Sequence, residues 1–342
     1  MLYIFFKKFT FWQQIWTFVL VLLYIGIFYL LNFTFNADLH FKDQKVTACL
    51  PLSENVVPDE SVVLGIYRNQ EARAYPIDYL AYHHKIYDSI GNDPILVTYC
   101  SICRSGRIFS PVINGKSERF SLVGTSGFNA IFEDKSTDSW WQQATGEAIA
   151  GKRKGEKMTE YFTEQMTLAS WKEKFPNTLV LQPDTTFNEI YEDYLDFGSG
   201  FGEVNYKAEE PWEEPSWIIG IAHEDNSLAI DYDEMIAKRL MHDSLGDIPI
   251  LVTLELDTLS IHAWDTRVDT ANLYFEYDSL GEYLVDTLTQ SVWDMTGTCI
   301  EGKFKGTKLF TMQSYVEYWH SWQRFHPDGE RVEVDSTLLG LK

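Results

Sequence analysis

Basic residues and cysteines are both scarce in this sequence. Of its 342 residues, 28 are Lys or Arg and 50 are Asp or Glu, which gives a net charge of −22. An acid excess of that size argues against binding to nucleic acid, and against binding to anionic lipid through a basic face. Four cysteines are too few to build a disulfide scaffold, although they suffice for one site.

Familiar catalytic signatures are also missing. The sequence contains no G-x-S-x-G, no H-E-x-x-H, no phosphate loop and no dinucleotide fingerprint. Apolar residues make up 45% of the chain and aromatic residues 15%, so it can bury a sizeable core and is not disordered. At about 150 residues per domain, the length indicates roughly two domains.

A long apolar run without charge stands at residues 11–31, and as a helix it can cross a bilayer core of about 30 Å. Lys7 and Lys8 precede it and no Lys or Arg follows until Lys42, so the positive-inside bias leaves the N-terminus in the cytoplasm. A cleavable signal peptide is the alternative, but its apolar region would be shorter and would end in small residues. We therefore expect a single-pass membrane protein whose body, with a net charge of −24, is periplasmic or on the cell surface.

Self-comparison reveals an internal repeat. Residues 94–98 recur letter for letter as 249–253, an offset of 155, whereas the G-K-x-K-G pattern of 151–155 recurs in 302–306 at an offset of 151. The second copy is therefore four residues shorter, and we place the whole difference before Trp293. The predicted organisation is a cytoplasmic stub with its anchor (1–35), a connector (36–61), a first repeat (62–183), an acidic linker (184–216), a second repeat (217–332) and a tail (333–342).

Both copies have the same predicted secondary structure, and the fold class is α+β with mostly antiparallel strands. The full expectation is an N-terminal transmembrane helix followed by two tandem β-rich repeats with short helices. In the first repeat we predict strands at 62–67, 72–75 and 95–99, a helix that begins at Pro76, turns at Gly91-Asn92 and Asn114-Gly115, and a helix over 167–175.

The predicted linker is strongly acidic. Residues 184–214 contain ten Asp or Glu residues against the single Lys207. A calcium loop would place its ligands at alternating positions around a central glycine, and that spacing is absent. A solvated connector is the better interpretation.

Positions that only one copy holds are candidates for chemistry, because positions shared by both copies serve the common fold. His83, Cys100 and Cys103 belong to the first copy only. The second copy has Lys238, Glu255 and Thr258 at these positions. On the predicted helix His84 continues the apolar stripe and is the packing histidine. His83 falls on another face, where a hydrogen-bonded structural role and a functional role are equally good interpretations.

Cys100 and Cys103 form a C-x-x-C motif between two predicted strands. A thioredoxin-type motif would need the first cysteine at a helix N-terminus, whereas Gly106 and the strand after it favour a β-turn. A β-turn suits a metal knuckle, since two thiolates at i and i+3 can share one ion such as zinc or copper. Further ligands would have to come from His83, Cys49 or Cys299. A disulfide or inert buried thiols, and redox exchange, are the other interpretations.

Weaker candidates surround this site in the sequence. Trp140 corresponds to Val292 in the second copy and could line a pocket. The other matched tryptophans occur in both copies, which favours core packing over a carbohydrate platform. Asp134 also has a counterpart, Asp286, so a glycosidase-like carboxylate pair has no distinctive support. The weaker neighbours of the site are Arg73, Asp134, Trp140, Gln142 and Gln143.

Several motifs together resemble a prokaryotic family of exported proteins, domain of unknown function 3179. They are the A-R-A-Y-P of residues 72–76, His83, the V-T-Y-C-x-x-C of 97–103, the D-x-x-T-x-S-x-W-Q-Q-x-x-G-E-A-I-x-G of 134–151, and the W-x-x-W-x-x-F-H-P of 319–327. The resemblance covers residues 62–327 and implies an exported protein whose characteristic positions include His83, Cys100 and Cys103. The family name supplies no reaction.

Two functional hypotheses follow from the sequence. In the first, the protein is a metal- or thiol-dependent enzyme or a metal-handling protein, with Gln142 or Gln143 contacting the substrate. In the second, it is a non-catalytic module that binds a ligand or protein partner, and a Cys100–Cys103 disulfide pins a loop.

Overall fold

The structure is a computed structural model that describes residues 10–34, 37–45, 47–195, 212 and 216–332. It divides into two compact units, residues 1–42 and 43–342. In the first unit, helix α1 (Phe11–Tyr29) begins at Thr10, which forms a capping box with Gln13. A π-helical turn (Leu30–Thr34) and a short helix α2 (Ala37–His40) follow. Helix α1 is long and apolar enough to cross a membrane.

The second unit is a mostly antiparallel β structure with short helices, as the sequence predicts. Its helices are α3 (Ile77–His83), α4 (Leu168–Lys174), α5 (Asn188–Tyr191), α6 (Tyr232–Lys238) and α7 (Trp319–Phe325). Single 3-10 turns lie at Leu52–Glu54, Thr185–Phe187 and Glu192–Tyr194.

Among the described residues, the first half of this unit has fifteen strands. They are β1 (Cys49–Pro51), β2 (Val62–Arg68), β3 (Glu71–Pro76), β4 (Lys85–Ile90), β5 (Asp93–Cys100), β6 (Ser105–Phe109), β7 (Val112–Ile113), β8 (Lys116–Ser117), β9 (Phe120–Ser126), β10 (Asn129–Asp134), β11 (Trp140–Gln142), β12 (Ala148–Ala150), β13 (Glu160–Tyr161), β14 (Glu164–Thr167) and β15 (Leu179–Leu181).

The second half contributes the remaining strands that the structure describes. They are β16 (Trp217–His223), β17 (Asn226–Asp231), β18 (Leu240–Leu245), β19 (Ile248–Leu254), β20 (Ile261–Asp265), β21 (Arg267–Val268), β22 (Ala271–Asn272), β23 (Phe275–Tyr277), β24 (Leu284–Asp286), β25 (Val292–Trp293), β26 (Cys299–Glu301), β27 (Phe310–Thr311), β28 (Ser314–Tyr318) and β29 (Glu330–Arg331).

The same sheet arrangement occurs in each half. The order β14-β2-β3-β15 corresponds to β28-β16-β17-β29, and β4-β5-β6-β13 corresponds to β18-β19-β20-β27. In the first of these sheets, one strand pair is parallel in each half: β3 with β15 in the first half and β17 with β29 in the second. Strand β1 extends the first of these sheets in the first half. Helices α3 and α6 pack over the sheets and contribute Leu80 and Met235 to the two cores.

The pairing registers locate the length difference between the halves. Phe120 pairs with Asp134, fourteen residues on, whereas Phe275 pairs with Asp286, eleven residues on. Trp141 pairs with Ala148, but its counterpart Trp293 pairs with Cys299, one residue closer. The prediction that all four missing residues precede Trp293 is therefore wrong. Three are absent from the β23–β24 hairpin and one follows Trp293.

The segment predicted as a solvated acidic linker begins with ordered structure. Asp184 caps the 3-10 turn, and helix α5 follows it directly. Phe187 and Tyr191 are buried, and both rings pack against His83 on helix α3. Aromatic residues between the acids provide this packing, which the charge count does not reveal. Most of the remaining predicted linker and the predicted tail from 333 lie outside the described residues.

Candidate functional site

The C-x-x-C motif lies on the turn between two central strands. Strand β5 ends at Cys100, which pairs with Ser105 at the start of β6. The turn between them contains Arg104 with a positive φ of 62°. No helix begins at this turn, in agreement with the sequence prediction. Cys100 and Cys103 form a disulfide.

Polar groups contact both sulfur atoms, although the cysteines are buried. The Cys103 backbone N–H points to Cys100 Sγ at 3.4 Å. Asn129 donates its side-chain N–H to Cys103 Sγ at 3.1 Å, and the Ser105 hydroxyl lies 3.3 Å from the same sulfur. Cys100 is 1% exposed and Cys103 is fully buried. The pair therefore lies in a polar pocket inside the protein and not against apolar side chains alone.

A hydrogen-bond network anchors these polar groups, and it includes both glutamines predicted from the sequence. Gln143 accepts from Asn129 at 2.8 Å and donates to the Thr98 hydroxyl at 3.2 Å. Gln142 donates to the Asn129 side-chain oxygen Oδ1 at 3.2 Å. The network fixes the Asn129 amide so that its N–H is held against Cys103 Sγ.

Phe128 lies next to Cys100 at the tip of the β9–β10 hairpin. Its carbonyl oxygen is 4.0 Å from Cys100 Sγ, and its ring packs against His320 with 4.8 Å between ring centroids. Gly127 and Phe128 both have positive φ, 59° and 63°. Positive φ is costly for an aromatic residue, so the surrounding contacts hold Phe128 in this conformation.

The second half of the molecule completes the surroundings of the disulfide. Strand β28 crosses beside β6, and the Tyr318 N–H donates to the Cys103 carbonyl oxygen at 2.9 Å. Glu317, the residue before it, is 1% exposed and lies 3.7 Å from the buried guanidinium of Arg107. Burial raises the pKa of Glu317, and the positive charge of Arg107 opposes this only in part.

Arg107 connects this buried cluster to a cleft between the two halves. Its guanidinium stacks on the Tyr315 ring at 3.6 Å and lies 3.7 Å from Glu160. All three residues line a cleft of about 530 Å³, whose rim includes Lys157 and His326. Polar side chains therefore extend from the disulfide to a solvent-filled opening.

His83 does not join the cysteines in a metal site. Its Nε2 lies 2.6 Å from the Tyr191 hydroxyl, in the aromatic cluster of helix α5. His84 was predicted to continue the helical stripe, and this is wrong. Helix α3 ends at His83, and His84 is its C-cap with φ 58°. The His84 ring is buried, lies 2.9 Å from the Tyr99 carbonyl oxygen through Nδ1, and has its pKa lowered by burial to about 4.

Arg73 belongs to a different cluster. It lies 3.8 Å from Asp88, which accepts hydrogen bonds from the Cys49 thiol at 3.2 Å and from the Tyr75 hydroxyl at 2.8 Å. Burial and the negative charge of Asp88 raise the pKa of Cys49 to about 12. This thiol is therefore inert at neutral pH.

Asp134 and Trp140 serve the fold of the β10–β11 hairpin. Asp134 accepts hydrogen bonds from Thr137 and from the Trp141 indole, and Asp286 does the same for Thr289 and Trp293. Trp140 is 46% exposed and donates to Glu133 at 2.9 Å. None of these hydrogen bonds connects Asp134 or Trp140 to the disulfide.

The predicted zinc or copper ligands are not brought together. Across the part of the chain that the structure describes, no group of three or more His, Cys, Asp or Glu side chains is placed to hold a metal ion. Cys49 contacts Asp88, and Cys299 contacts the Glu301 carbonyl oxygen in the second half. The disulfide also occupies both sulfur atoms that a metal would require.

Sequence reasoning missed most of the groups around the disulfide, among them Ser105, Asn129 and Glu317. Ser105 has an identical counterpart, Ser260, which conceals its role. Glu317 pairs with Ile218, just as Met166 pairs with Val63 in the first half. Glu317 therefore occupies the position that Met166 holds in the first half. A carboxylate at this buried strand position was the signal that could have identified Glu317.

Comparison with known proteins identifies one family. The family described as protein of unknown function (DUF3179) matches residues 47–329. No curated protein matches the chain. No solved structure matches it either.

Proposed function

The chain belongs to the DUF3179 family, and because that family names no reaction, we propose from the site itself that Cys100 and Cys103 alternate between disulfide and dithiol. In this proposal the protein exchanges electrons with a partner thiol or disulfide outside the cytoplasm. The exchange forms a mixed disulfide between the partner and one cysteine of the pair, and a second thiol then resolves it.

The observation that carries the proposal is the hydrogen bond from Asn129 to Cys103 Sγ, 3.1 Å long and held by Gln143. A disulfide sulfur is a weak acceptor, so this N–H gains little while the pair is oxidised. A thiolate is a charged acceptor and gains much more. The arrangement therefore favours the form of Cys103 that thiol–disulfide exchange produces.

The matching turn in the second half forms without cysteines, which supports a role for the disulfide beyond shaping the turn. Strands β19 and β20 pair through Leu254 and Ile261, and the turn between them carries Glu255 and Thr258 at the cysteine positions. Glu255 instead accepts from Ser170 at 2.5 Å and lies 2.6 Å from His262. A purely structural role of the disulfide does not explain why only one of the two turns contains cysteines.

An anchored body outside the cytoplasm is consistent with this chemistry. Helix α1 follows Lys7 and Lys8, and the residues after it carry a net charge of −24. The positive-inside bias then puts the disulfide in an oxidising compartment, where such bonds persist. Retention of the helix in the mature protein is part of the proposal.

A trapping experiment on the full-length protein tests the exchange. In the variant Cys103→Ser, Cys100 has no partner, and we expect it to form a stable mixed disulfide with an added aromatic disulfide reagent while the protein stays folded. Cys299→Ser is the matched control, since its removed thiol is buried elsewhere. Labelling of Cys100 only after denaturation would refute exchange by the native site.

A second candidate function is ligand binding in the cleft beside Arg107. The specific observation is its volume of about 530 Å³ at the junction of the two halves, with Arg107 and Glu160 both lining it. In this case the disulfide only pins a loop. A Cys100→Ser, Cys103→Ser double variant that retains full biological activity would favour this candidate over exchange.

A further inference from the structure

We infer that Glu317 is the proton donor and acceptor for the Cys103 sulfur, acting through the Ser105 hydroxyl. The inference rests on the proposed exchange function and assigns a role that the C-x-x-C motif itself does not contain. Glu317 belongs to strand β28 of the second half, so the proton-transfer group and the disulfide come from different halves of the molecule.

The backbone holds Glu317 beside the disulfide turn. Tyr318 donates its N–H to the Cys103 carbonyl oxygen at 2.9 Å, which fixes β28 directly against the turn. The Ser105 hydroxyl lies 3.3 Å from Cys103 Sγ, donates to Gln143 Oε1 at 3.2 Å, and faces the Glu317 carboxyl group without a formed hydrogen bond. Ser105 is itself fully buried. A serine hydroxyl can accept one proton and donate another, so it can link the two groups.

The Glu317 carboxyl group is costly to keep where it is. It is 1% exposed, and among the described residues neither of its oxygens has a hydrogen-bond partner at normal geometry: Arg107 stays 3.7 Å away, and Ser105 faces the carboxyl group without a formed bond. Burial of a polar group without such partners is destabilising, and a methionine occupies the matching position in the first half. A group retained at such a cost beside a disulfide points to a chemical role.

The charges around Glu317 set when it holds a proton. Arg107 approaches at 3.7 Å and favours the carboxylate, whereas Glu160, on the other side of Arg107, favours the neutral acid. The Tyr315 hydroxyl donates to Glu160 at 3.0 Å and adds no charge at neutral pH. Burial is the largest effect and raises the pKa of Glu317. The carboxyl group is thereby suited to store a proton at a pH where an exposed glutamate has lost it.

The reaction balances as follows in the direction of reduction. A thiolate of an added dithiol attacks Cys100 Sγ, forming a new S–S bond while the Cys100–Cys103 bond breaks. The electron pair goes to Cys103 Sγ, which takes the proton of the Ser105 hydroxyl, and Ser105 takes the proton of Glu317 once the carboxyl group moves within hydrogen-bond distance. The second thiol of the dithiol then attacks the reagent sulfur of the mixed disulfide, which forms the S–S bond of the oxidised reagent and breaks the bond to Cys100 Sγ. The proton of that thiol passes to Cys100. The dithiol is oxidised and the protein is reduced.

The test is the rate at which dithiothreitol reduces the full-length protein, measured from pH 5 to 9 and corrected for the ionisation of the reagent. We expect Glu317→Gln to slow reduction at least tenfold at low pH, as general acids contribute about 10²-fold or more. The corrected wild-type rate falls as Glu317 loses its proton, whereas the variant shows no such fall. Glu234→Gln is the matched control, because Glu234 is also fully buried but lies on helix α6.

The outcomes separate the inference from the proposed function. Ser105→Ala should show the same defect as Glu317→Gln, and the double variant should be no slower than either, because both belong to one transfer path. Ser105→Ala also tests the same step if Glu317→Gln does not fold. A wild-type disulfide that resists reduction while folded overturns the exchange function. Normal reduction of the wild type, with unchanged rates and pH profiles in both variants, overturns the role of Glu317 alone.

Discussion

At the scale of single residues, the disulfide combines burial with polar contacts. Cys100 is 1% exposed, so a partner thiol reaches its sulfur only after a neighbouring group moves. The tip of the β9–β10 hairpin is one such neighbour, since the Phe128 carbonyl oxygen is 4.0 Å from Cys100 Sγ. Its positive φ of 63° costs about 1–2 kcal/mol for a residue with a Cβ atom. Because the strained Phe128 backbone lies against Cys100, we expect this hairpin tip to limit access to the sulfur.

Replacement of Phe128 by glycine should therefore open the site without weakening the hairpin. Glycine adopts positive φ freely, and the aromatic ring that packs on His320 is lost. We expect faster reduction of the disulfide by a small thiol, by fivefold or more, with little change in the denaturation midpoint. Stopped reactions analysed by thiol alkylation and mass spectrometry give the rate.

The control for this variant is Asp269→Gly. Asp269 is an exposed residue with a positive φ of 55° in the second half, and it lies in the β21–β22 hairpin. Relief of strain there should leave the reduction rate unchanged. Equal rates in the wild type, Phe128→Gly and Asp269→Gly would show that Phe128 does not control access.

His84 makes the stability of the protein dependent on pH. Its folded pKa of about 4 lies below the usual value of 6.5 because the ring is buried. Between these values the unfolded chain binds a proton that the folded protein does not, so stability falls as the pH falls from 6.5 to 4. The shift corresponds to about 3 kcal/mol at most for this histidine.

Asp231 has the opposite effect in part of this range. Burial raises its pKa from 3.8 to about 6, so the folded protein holds the extra proton and stability rises as the pH falls from 6 to 4. Urea denaturation at pH 7 and pH 4.5 should show a smaller loss for His84→Gln than for the wild type, and a larger loss for Asp231→Asn. An unchanged pH dependence in His84→Gln would contradict the assignment.

At the scale of elements, one packing motif occurs in both halves. Gly65 on β2 pairs with Ala74, and Gly220 on β16 pairs with Ala229. A Cβ atom at either glycine would overlap the ring of the tryptophan that packs over it, Trp171 or Trp322. Each glycine therefore lets a fully buried indole lie directly on its strand.

Alanine at Gly65 or at Gly220 should destabilise the protein by similar amounts. Overpacking against a rigid buried ring costs about 1–3 kcal/mol. Thermal denaturation should show a lower midpoint for both variants. Gly26→Ala on helix α1, where no neighbouring atom lies within 4 Å, should leave the midpoint unchanged. A normal midpoint for either core variant would show that the tryptophan packs differently in that half.

Local signals explain which elements the sequence could predict. The Asn114-Gly115 turn has positive φ at both residues and joins β7 to β8, as its chemistry requires. Thr167 caps α4 by accepting from the Ser170 N–H, so the predicted helix was right within one residue at each end.

The features that the sequence did not predict depend on contacts between distant segments. His84 became a helix cap because strand β4 begins at the next residue, and the helical stripe does not contain that information. The contact between α5 and His83 joins residues about a hundred positions apart. Glu317 lies near the disulfide turn only because β28 crosses beside β6, so no local pattern around the cysteines could identify it.

At the scale of the whole molecule, the two halves meet through reciprocal contacts. Tyr318 donates to the Cys103 carbonyl oxygen, and Thr167, at the matching position of the first half, donates its N–H to the Ser260 hydroxyl at 3.0 Å. Gln313 bonds the Thr163 N–H at 3.0 Å and its carbonyl oxygen at 3.1 Å. The site at Cys103 is thus assembled by the junction and depends on it.

Loss of the Gln313 side chain should weaken the junction. Gln313→Ala leaves the buried Thr163 N–H without its partner, at a cost of about 1–3 kcal/mol. The denaturation midpoint should therefore fall. Asn92→Ala, at an exposed turn, is the control. Wild-type stability in Gln313→Ala would show that the halves are held by other contacts.

The central claim is that Cys100 and Cys103 form a redox couple that works in the folded protein. The most direct measurement is an equilibrium titration of the full-length protein in dithiothreitol redox buffers, with thiols counted by mass spectrometry and folding followed by near-ultraviolet circular dichroism. The account predicts a two-electron transition that releases two thiols while the dichroism stays native. A pair that stays oxidised until the protein unfolds would contradict it, and the disulfide would then be a structural link.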